Sequence, residues 1–275
     1  MTFEQLNQLE VWQQMPTITL DEMSAIKLMN RVDTKYVLSE ECCMELLRKA
    51  VGEYSVQVIG DVRAARYETL YYDTPDWNMY TVHHNRRLTR QKIRTRTYIE
   101  TMLSFAEVKN KTNRGRTKKR RTVINREYFS DFKHSAEASE FIAQHSAYPL
   151  EDLIPSLITR FERITLVNHA HTERLTIDFN VRFDNLRSGK ELSPGVERMV
   201  IVELKQDGMC YSPMKQIMLD LRVKRLKVSK YCLGVVLTTP DVKTNRFKRK
   251  LRQVRKAIDQ TLPNTQTITN HNEQN

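Results

Sequence analysis

Glycine is scarce in this chain, with seven residues in 275. None of them stands in a G-x-x-x-x-G-K-[ST] or G-x-G-x-x-G spacing, which excludes a backbone cradle for phosphate of the P-loop or dinucleotide-binding kind. If phosphate is handled here, side chains must do it. Cysteine is sparse as well. Cys42, Cys43, Cys210 and Cys232 lack the spacing of a metal site, and the adjacent Cys42 and Cys43 are poor partners for each other, so free thiols in a reducing cytoplasm are expected. No apolar run approaches the ~18–20 residues of a membrane span. The opening stretch MTFEQLNQLEVWQQMP carries two glutamates and no basic segment, which argues against a secretory signal. Internal repeats and a parallel βαβ rhythm are also missing.

What the chain has in excess is positive charge, a formal +12. That balance favours polyanionic partners: nucleic acid, nucleotide, polyphosphate or an anionic membrane surface. With 40% hydrophobic and 28% charged residues, the chain can bury a core as one large domain or two small ones.

The charge is densest at 86–121, RRLTRQKIRTRTYIETMLSFAEVKNKTNRGRTKKRR. Val, Ile, Thr, Tyr and Phe recur through its first part, as on a pleated surface. Arg90, Lys92, Arg94 and Arg96 alternate with Gln91, Ile93, Thr95 and Thr97, and Glu107, Lys109 and Lys111 alternate with Ala106 and Val108. Thr112 to Gly115 reads as a turn, and KKRRTVI resumes a strand.

Further strands are expected at MNRVDTKYVLS, RYETLYYDTPD (66–76), 156–168, 173–185 and 198–208. Between them lie helical patterns. A short helix at 2–14 ends at Pro16, and Asp21 is placed as the cap of a second. Ser39 caps a helix with Met44, Leu47 and Val51 turned inward. Residues 134–147 form another. Ser212 and Pro213 open a helix whose stripe is Met214, Ile217, Met218 and Leu221, a core pattern. The type of 224–238 stays open. After Pro240, KTNRFKRKLRQVRKAI is a basic helix with an apolar stripe of Phe247, Leu251, Val254 and Ile258. The polar tail 263–275 is expected to be disordered. His83, His84, His169 and His171 lack an evident third ligand partner and read as loop or surface residues.

At least six strands thus set a charged row opposite an apolar row. A half-buried sheet with a solvated charged face accounts for this, and so does an inverted barrel with charges in its lumen and helices packed outside. Two considerations bear on the choice. Solvated faces usually mix signs, whereas Arg90, Lys92, Arg94 and Arg96 are all cationic. Two unit charges ~4 Å apart also interact by about 4 kcal/mol at an effective dielectric near 20. Packed cations therefore call for an anion.

The motifs occur in a specific order: R-x-D-T-K-Y at 31–36, Y-Y-D-T at 71–74, K-I-R-T-R at 92–96, E-V-K-x-K at 107–111 and G-R-T-K-K-R-R at 115–121. They continue with R-F-E-R at 160–163, R-L-T-I-D at 174–178, V-E-L-K at 202–205 and K-V-S-K-Y at 227–231. In this series the chain resembles the VTC (vacuolar transporter chaperone) polyphosphate polymerases of the triphosphate tunnel superfamily, from about Arg31 to Gly234. The resemblance implies an α+β fold, a closed antiparallel eight-stranded β-barrel with helices packed outside. It divides the chain into an N-terminal helical extension (1–30), a tunnel catalytic domain (31–238), a basic C-terminal helix (239–262) and the tail.

It also implies site residues. Lys35, Arg94, Arg96, Lys109, Lys119, Arg163, Arg174, Lys227 and Lys230 would contact triphosphate or the growing chain, with Arg94, Arg96, Lys109 and Glu203 at the catalytic centre. Lys119 is preferred to Lys118 because it shares a face with Arg121. Glu203 would bind Mn²⁺ or Mg²⁺. Arg31, Lys111, Arg121 and Lys205 are further phosphate candidates, and Glu107 and Asp178 further metal candidates. Hydrolytic tunnel enzymes share an E-x-E-x-K motif. Here that stretch is Arg31-x-Asp33-x-Lys35, a cation in place of the first glutamate, which favours the polymerase branch. The eukaryotic members also carry a transmembrane region and an N-terminal regulatory domain, so a stand-alone soluble form is expected.

The expected activity is transfer of the γ-phosphate of ATP to polyphosphate in the cytoplasm. The alternatives are a tunnel triphosphatase acting on inorganic triphosphate or nucleoside triphosphates, and a polyphosphate- or nucleic-acid-binding protein without catalysis. Nucleic acid is the less favoured ligand. A membrane protein or an anionic membrane is a further expected partner, through 243–258.

Overall fold

The alternation read from the sequence is realised as a long antiparallel sheet. The computed structural model describes residues 1–26, 28, 31–192, 196, 198–208 and 210–259; the tail 263–275 lies outside them. The strands are β1 (Thr17–Ile18), β2 (Arg31–Leu38), β3 (Tyr54–Gln57), β4 (Ala64–Asp73), β5 (Arg90–Tyr98), β6 (Leu103–Lys111), β7 (Thr117–Ile124), β8 (Ile154–Asn168), β9 (Glu173–Asn185), β10 (Lys190–Leu192) and β11 (Val200–Asp207). The helices are α1 (Phe3–Asn7), α2 (Leu20–Ala25), α3 (Glu40–Ala50), α4 (Asn78–His84), α5 (Ala136–His145), α6 (Pro213–Asp220), α7 (Lys230–Thr238) and α8 (Lys248–Ile258).

Eight strands follow one another in the order β2-β11-β9-β8-β4-β5-β6-β7, every neighbouring pair antiparallel. The expected strand number and pairing therefore hold. Closure is not shown: among the described residues no ladder joins β2 to β7, the outer side of β2 carries the isolated bridge Tyr36–Arg225, and the sheet is a strongly curled half-barrel. The register of β5 on β6 sets Arg90 opposite Lys111, Lys92 opposite Lys109 and Arg94 opposite Glu107. The β6–β7 turn closes with the Gly115 amide on the Thr112 carbonyl, 3.1 Å, and Gly115 takes the φ of +76° that glycine tolerates best.

The apolar rows face the helices. Tyr36, Leu38, Leu175, Ile177, Val202 and Leu204 form one core with α3 and α6, whose Met214, Ile217 and Met218 are buried as their spacing indicated. Leu70, Ile93, Ala106 and Val108 form another with Ala138 and Ile142 of α5. Serines cap α3, α6 and α7 from positions 39, 212 and 229. The cap of α2 is Thr19, not Asp21. The Thr19 hydroxyl accepts from the Glu22 amide, and the Glu22 carboxylate accepts from the Thr19 amide in return.

The helices do not all lie outside. Val37, Tyr71, Phe161 and Ile201 stand in the same alternating rows as Lys35, Arg163 and Glu203, yet they form a third core with Tyr231, Leu233, Val235 and Val236 of α7. Helix α7 therefore covers part of the charged face and fills one end of the curl. The approach is close at Gly234, where a Cβ would stand 2.5 Å from Leu157 Cδ2 and 2.7 Å from Phe183 Cδ1. The third core also takes up Phe247, Val254 and Ile258. The apolar stripe expected to meet a membrane is turned inward, because burying each such side chain contributes about 1.5–3 kcal/mol.

Candidate functional site

Beside α7 the curled face stays polar, and here the chain gathers its cations. Glu203 on β11 stands opposite Lys35 on β2, with Lys35 Nζ 3.4 Å from Glu203 Oε2. Across the curl, Arg94 on β5 places Nε 2.7 Å and Nη2 2.6 Å from Oε2 of the fully buried Glu107, and Lys119 of β7 pairs with the same carboxylate. On β8 and β9, Arg163 grips Asp178 with Nε 2.5 Å and Nη2 2.9 Å from its two oxygens, and Lys230 at the start of α7 completes that pair. Arg163 and Lys230 also lie over the Phe161 ring. Arg96 is buried, donating from Nε to Thr69 Oγ1 at 3.0 Å.

The two ends of the strand order meet electrostatically. Burial, then Arg94 and Lys92, push the Lys109 ammonium down to about 8, with Lys35 from the far edge adding to the effect and Glu203 opposing it. Burial likewise lowers Lys230 to about 8 despite Asp178. Lys119 also falls to about 8, chiefly through burial and against the pull of Glu107. Burial opposes the charge on Glu203, yet Lys35, Lys205, Arg163 and Lys109 outweigh it and hold that carboxyl well below the usual carboxylate range.

Eight of the residues singled out by sequence as phosphate contacts therefore converge: Lys35, Arg94, Arg96, Lys109, Lys119, Arg163, Lys205 and Lys230. Others stand apart. Arg174 donates from Nη2 to the Met23 carbonyl at 2.8 Å and the Ile26 carbonyl at 3.4 Å, at the end of α2. Arg31 is exposed and forks onto Asp33. Arg121 is exposed over the Phe105 ring. Lys111 and Lys227 lie at the rim near Arg90.

The three carboxylates named as metal candidates are not equivalent. Glu107 and Asp178 are each saturated by two cations, and among the described residues no three His, Cys, Asp or Glu side chains gather as a ligand set. Glu203 is ionised, and among the described residues it is held by one longer ion pair. A lone carboxylate of this kind fits a hard divalent ion that keeps its waters and takes its remaining oxygens from a bound phosphate chain.

Sequence reasoning left three participants out of the site. Lys92 is drawn into it, donating to Ser229 Oγ at 2.5 Å, and its place in the Arg94–Arg96 row was the available signal. Tyr71 accepts from Arg94 Nη1 at 3.2 Å. Burial raises its phenol, but Arg94, Lys92 and Arg96 bring it down to about 7. The third is Ser229, the cap of α7 that accepts from Lys92, whose position beside the charged face no periodicity reveals. His83 sits 3.1 Å from Cys232 Sγ, and burial with the nearby cations pushes it down to about 2, so it stays neutral.

The chain shows similarity to several solved structures. A Vibrio parahaemolyticus protein described as a candidate adenylate cyclase is 12% identical over 75% of this chain and 99% of its own, with a TM-score of 0.44. A Hippeastrum protein described as having a dominant triphosphatase activity is 12% identical over 78% of this chain and 98% of its own, with a TM-score of 0.48. A Pyrococcus horikoshii protein is 12% identical over 75% and 98%, with a TM-score of 0.42. No curated protein matches the chain. The VTC domain model matches residues 30–239, the span that holds the whole curled sheet and its cation cluster, and the chain belongs to the VTC domain family.

Proposed function

We propose that the chain is a metal-dependent polyphosphate polymerase that transfers the γ-phosphoryl group of ATP to the end of a polyphosphate chain. The observation that carries this reading is the convergence of Lys35, Lys92, Arg94, Arg96, Lys109, Lys119, Arg163, Lys205 and Lys230 on one concave face, where they outnumber the carboxylates of Glu107, Asp178 and Glu203. Such an excess of buried cation is costly without an anion, and a run of phosphates is the anion whose oxygens match guanidinium forks and ammonium groups.

The roles follow from the geometry. A terminal oxygen of the acceptor chain attacks the γ-phosphorus, a P–O–P bond forms, the bond to the β-phosphate oxygen breaks, and ADP leaves. No protein nucleophile is needed, so the residues position and stabilise. Arg94 and Lys119 on one wall and Arg163 and Lys230 on the other hold phosphates between them. Lys35, Lys109 and Lys205 offset charge on the transferring group. Glu203 would hold the divalent ion, which, when bound, neutralises charge on the donor phosphates. The row along β5 and β6 extends past the cluster through Lys92 to Arg90 and Lys111, longer than one triphosphate requires, which supports a polymeric ligand over simple hydrolysis.

The experiment is incubation of the purified chain with ATP and Mn²⁺ or Mg²⁺, followed by gel analysis of the products. Long chains that disappear in Glu203→Ala are expected. Orthophosphate alone would replace the polymerase with a triphosphatase, and metal-independent binding without turnover would replace it with a binding protein. Full synthesis by Glu203→Ala would remove Glu203 from the metal.

A further inference from the structure

The two ends of the curled sheet treat their cations differently. At the end where β2 begins and β5 finishes, three arginines are engaged. Arg31 forks onto Asp33, Arg174 donates to carbonyls of α2, and Arg66 pairs with Glu100 at 2.8 Å. At the other end Arg86, Arg87, Arg90, Lys111, Lys227 and Lys250 collect, and among the described residues none of the six has a carboxylate partner. Arg90 and Lys111 face each other across β5 and β6, directly after the Lys92–Lys109 pair of the site. Lys111 is lowered by burial, then by Arg90 and Lys227, and Lys250 chiefly by burial, with Arg86, Arg90 and Lys227 adding to it. These five form one field, and Arg87 adjoins it through its carbonyl, which accepts from Arg90 Nη1 at 2.7 Å.

The fold fixes this field in place. The Tyr80 hydroxyl of α4 donates to the Lys243 carbonyl at 2.7 Å, the Arg246 guanidinium donates to the Asn85 carbonyl at 3.1 Å, and Phe247 stacks on Tyr80. With Phe247, Val254 and Ile258 buried, the outer face of α8 is left to Lys248, Arg249, Arg252, Arg255 and Lys256, all exposed. Arg86 is held outward in a left-handed conformation, φ +62°.

We infer that this rim, from Arg90 and Lys111 across Arg86, Arg87 and Lys250 to the outer face of α8, is a landing surface for the part of a polyphosphate chain that extends beyond the site along β5 and β6, beside the part of this end that α7 fills. The inference rests on the polymerase reading. A linear polyanion matches the surface because the cation row is continuous with the site and lacks internal counter-charge. A membrane is the weaker match, because the apolar side chains that would enter a bilayer are packed inside.

The test compares the full chain with a variant carrying Arg86→Asn, Arg87→Gln and Lys250→Gln, using tripolyphosphate and long-chain polyphosphate as probes in titrations across salt concentrations. Asparagine tolerates the left-handed conformation of Arg86. Tripolyphosphate affinity should be unchanged. Long-chain affinity should fall roughly tenfold at low salt, and its log–log salt slope should shrink by about two units, at ~0.7 per lost phosphate contact. A charge-keeping variant, Arg87→Lys with Lys250→Arg, should bind like the wild type. Unchanged long-chain affinity in the neutralised variant overturns the inference, as does equal weakening of both probes or loss of long-chain binding by the charge-keeping variant. Loss of binding to single-stranded DNA or anionic phospholipid vesicles, with polyphosphate unaffected, also overturns it and reassigns the surface. Failure of the wild type to bind tripolyphosphate would instead remove the tunnel reading beneath it.

Discussion

Glu107→Gln separates the stability of the site from its affinity for phosphate. The carboxylate is fully buried, takes two short contacts from Arg94 and pairs with Lys119. Glutamine keeps its volume and leaves the Arg94 guanidinium, itself 13% exposed, without a counter-charge. Removing one partner of a buried pair costs about 3–5 kcal/mol. Lys119 is 37% exposed and adds little to that figure. A domain of this size shifts in Tm by ~2–4 °C per kcal/mol, so a fall of roughly 6–20 °C is expected by calorimetry without ligand.

The same substitution should tighten tripolyphosphate binding, since Arg94 and Lys119 then meet the ligand without competition, and saturating ligand should restore more stability to the variant than to the wild type. The pH dependence carries a further check. Burial alone would raise Glu107, but Arg94, Arg96 and Lys119 depress it below its ordinary value of 4.5. A depressed carboxylate contributes stability that is present above the unfolded value and lost as pH falls toward the folded one. The difference between wild type and variant should therefore shrink below about pH 4.5. A Tm change under about 2 °C together with weaker tripolyphosphate binding would refute the reasoning.

Three other outcomes are expected. Lys109, Lys119 and Lys230 stand at about 8 in the free protein, so tripolyphosphate binding should weaken above pH 8 and take up protons near it, visible as a buffer-dependent calorimetric heat. Because those values lie below the ordinary 10.5, the free protein should also gain stability as pH rises from about 8 toward 10.5. Tyr71→Phe should remove a tyrosinate absorbance that grows in through about pH 7; an unchanged titration would free Tyr71 of that assignment. Gly234→Ala should destabilise by ~1–3 kcal/mol in urea unfolding, because its methyl meets Leu157 and Phe183 inside normal contact distance.

The strands and their charged rows were legible because period-two alternation survives wherever a strand keeps its register. Lys35, Arg94, Lys109, Asp178 and Glu203 all lie on the face their parity assigns. Parity fails where the register slips. Asn180 on β9 adopts φ +48° beside the shift between Arg160 and Glu162 on β8, and beyond it Val181 and Phe183, rather than Phe179, join the core under α7. Periodicity also cannot say which surface a helix stripe covers. The stripe of α8 was visible, but only the position of Tyr80, Tyr231 and the third core turns it inward. Arg174 shares a parity with Asp178, and what removes it from the site is the α2 carbonyls, which arrive from a segment distant in sequence.

The site's carboxylates explain how so much cation persists inside a folded chain before any phosphate arrives. Glu107 and Asp178 each bind two cations on opposite walls, Arg94 with Lys119 and Arg163 with Lys230, so each occupies the place a phosphate oxygen would take between them. Burial adds a second adjustment, since it lowers Lys109, Lys119 and Lys230 to about 8 and makes part of the remaining charge titratable near neutral pH. An entering phosphate chain then competes with internal anions and recruits protons to the lysines. Its binding would be weaker than bare cations would give, and under the proposed polymerase activity a chain that must advance through the site would thereby not be held at any one position. Glu203, whose ion pair among the described residues is with Lys35 at 3.4 Å, is the carboxylate that can change partner at the least cost, which is the property the proposed metal ligand would require.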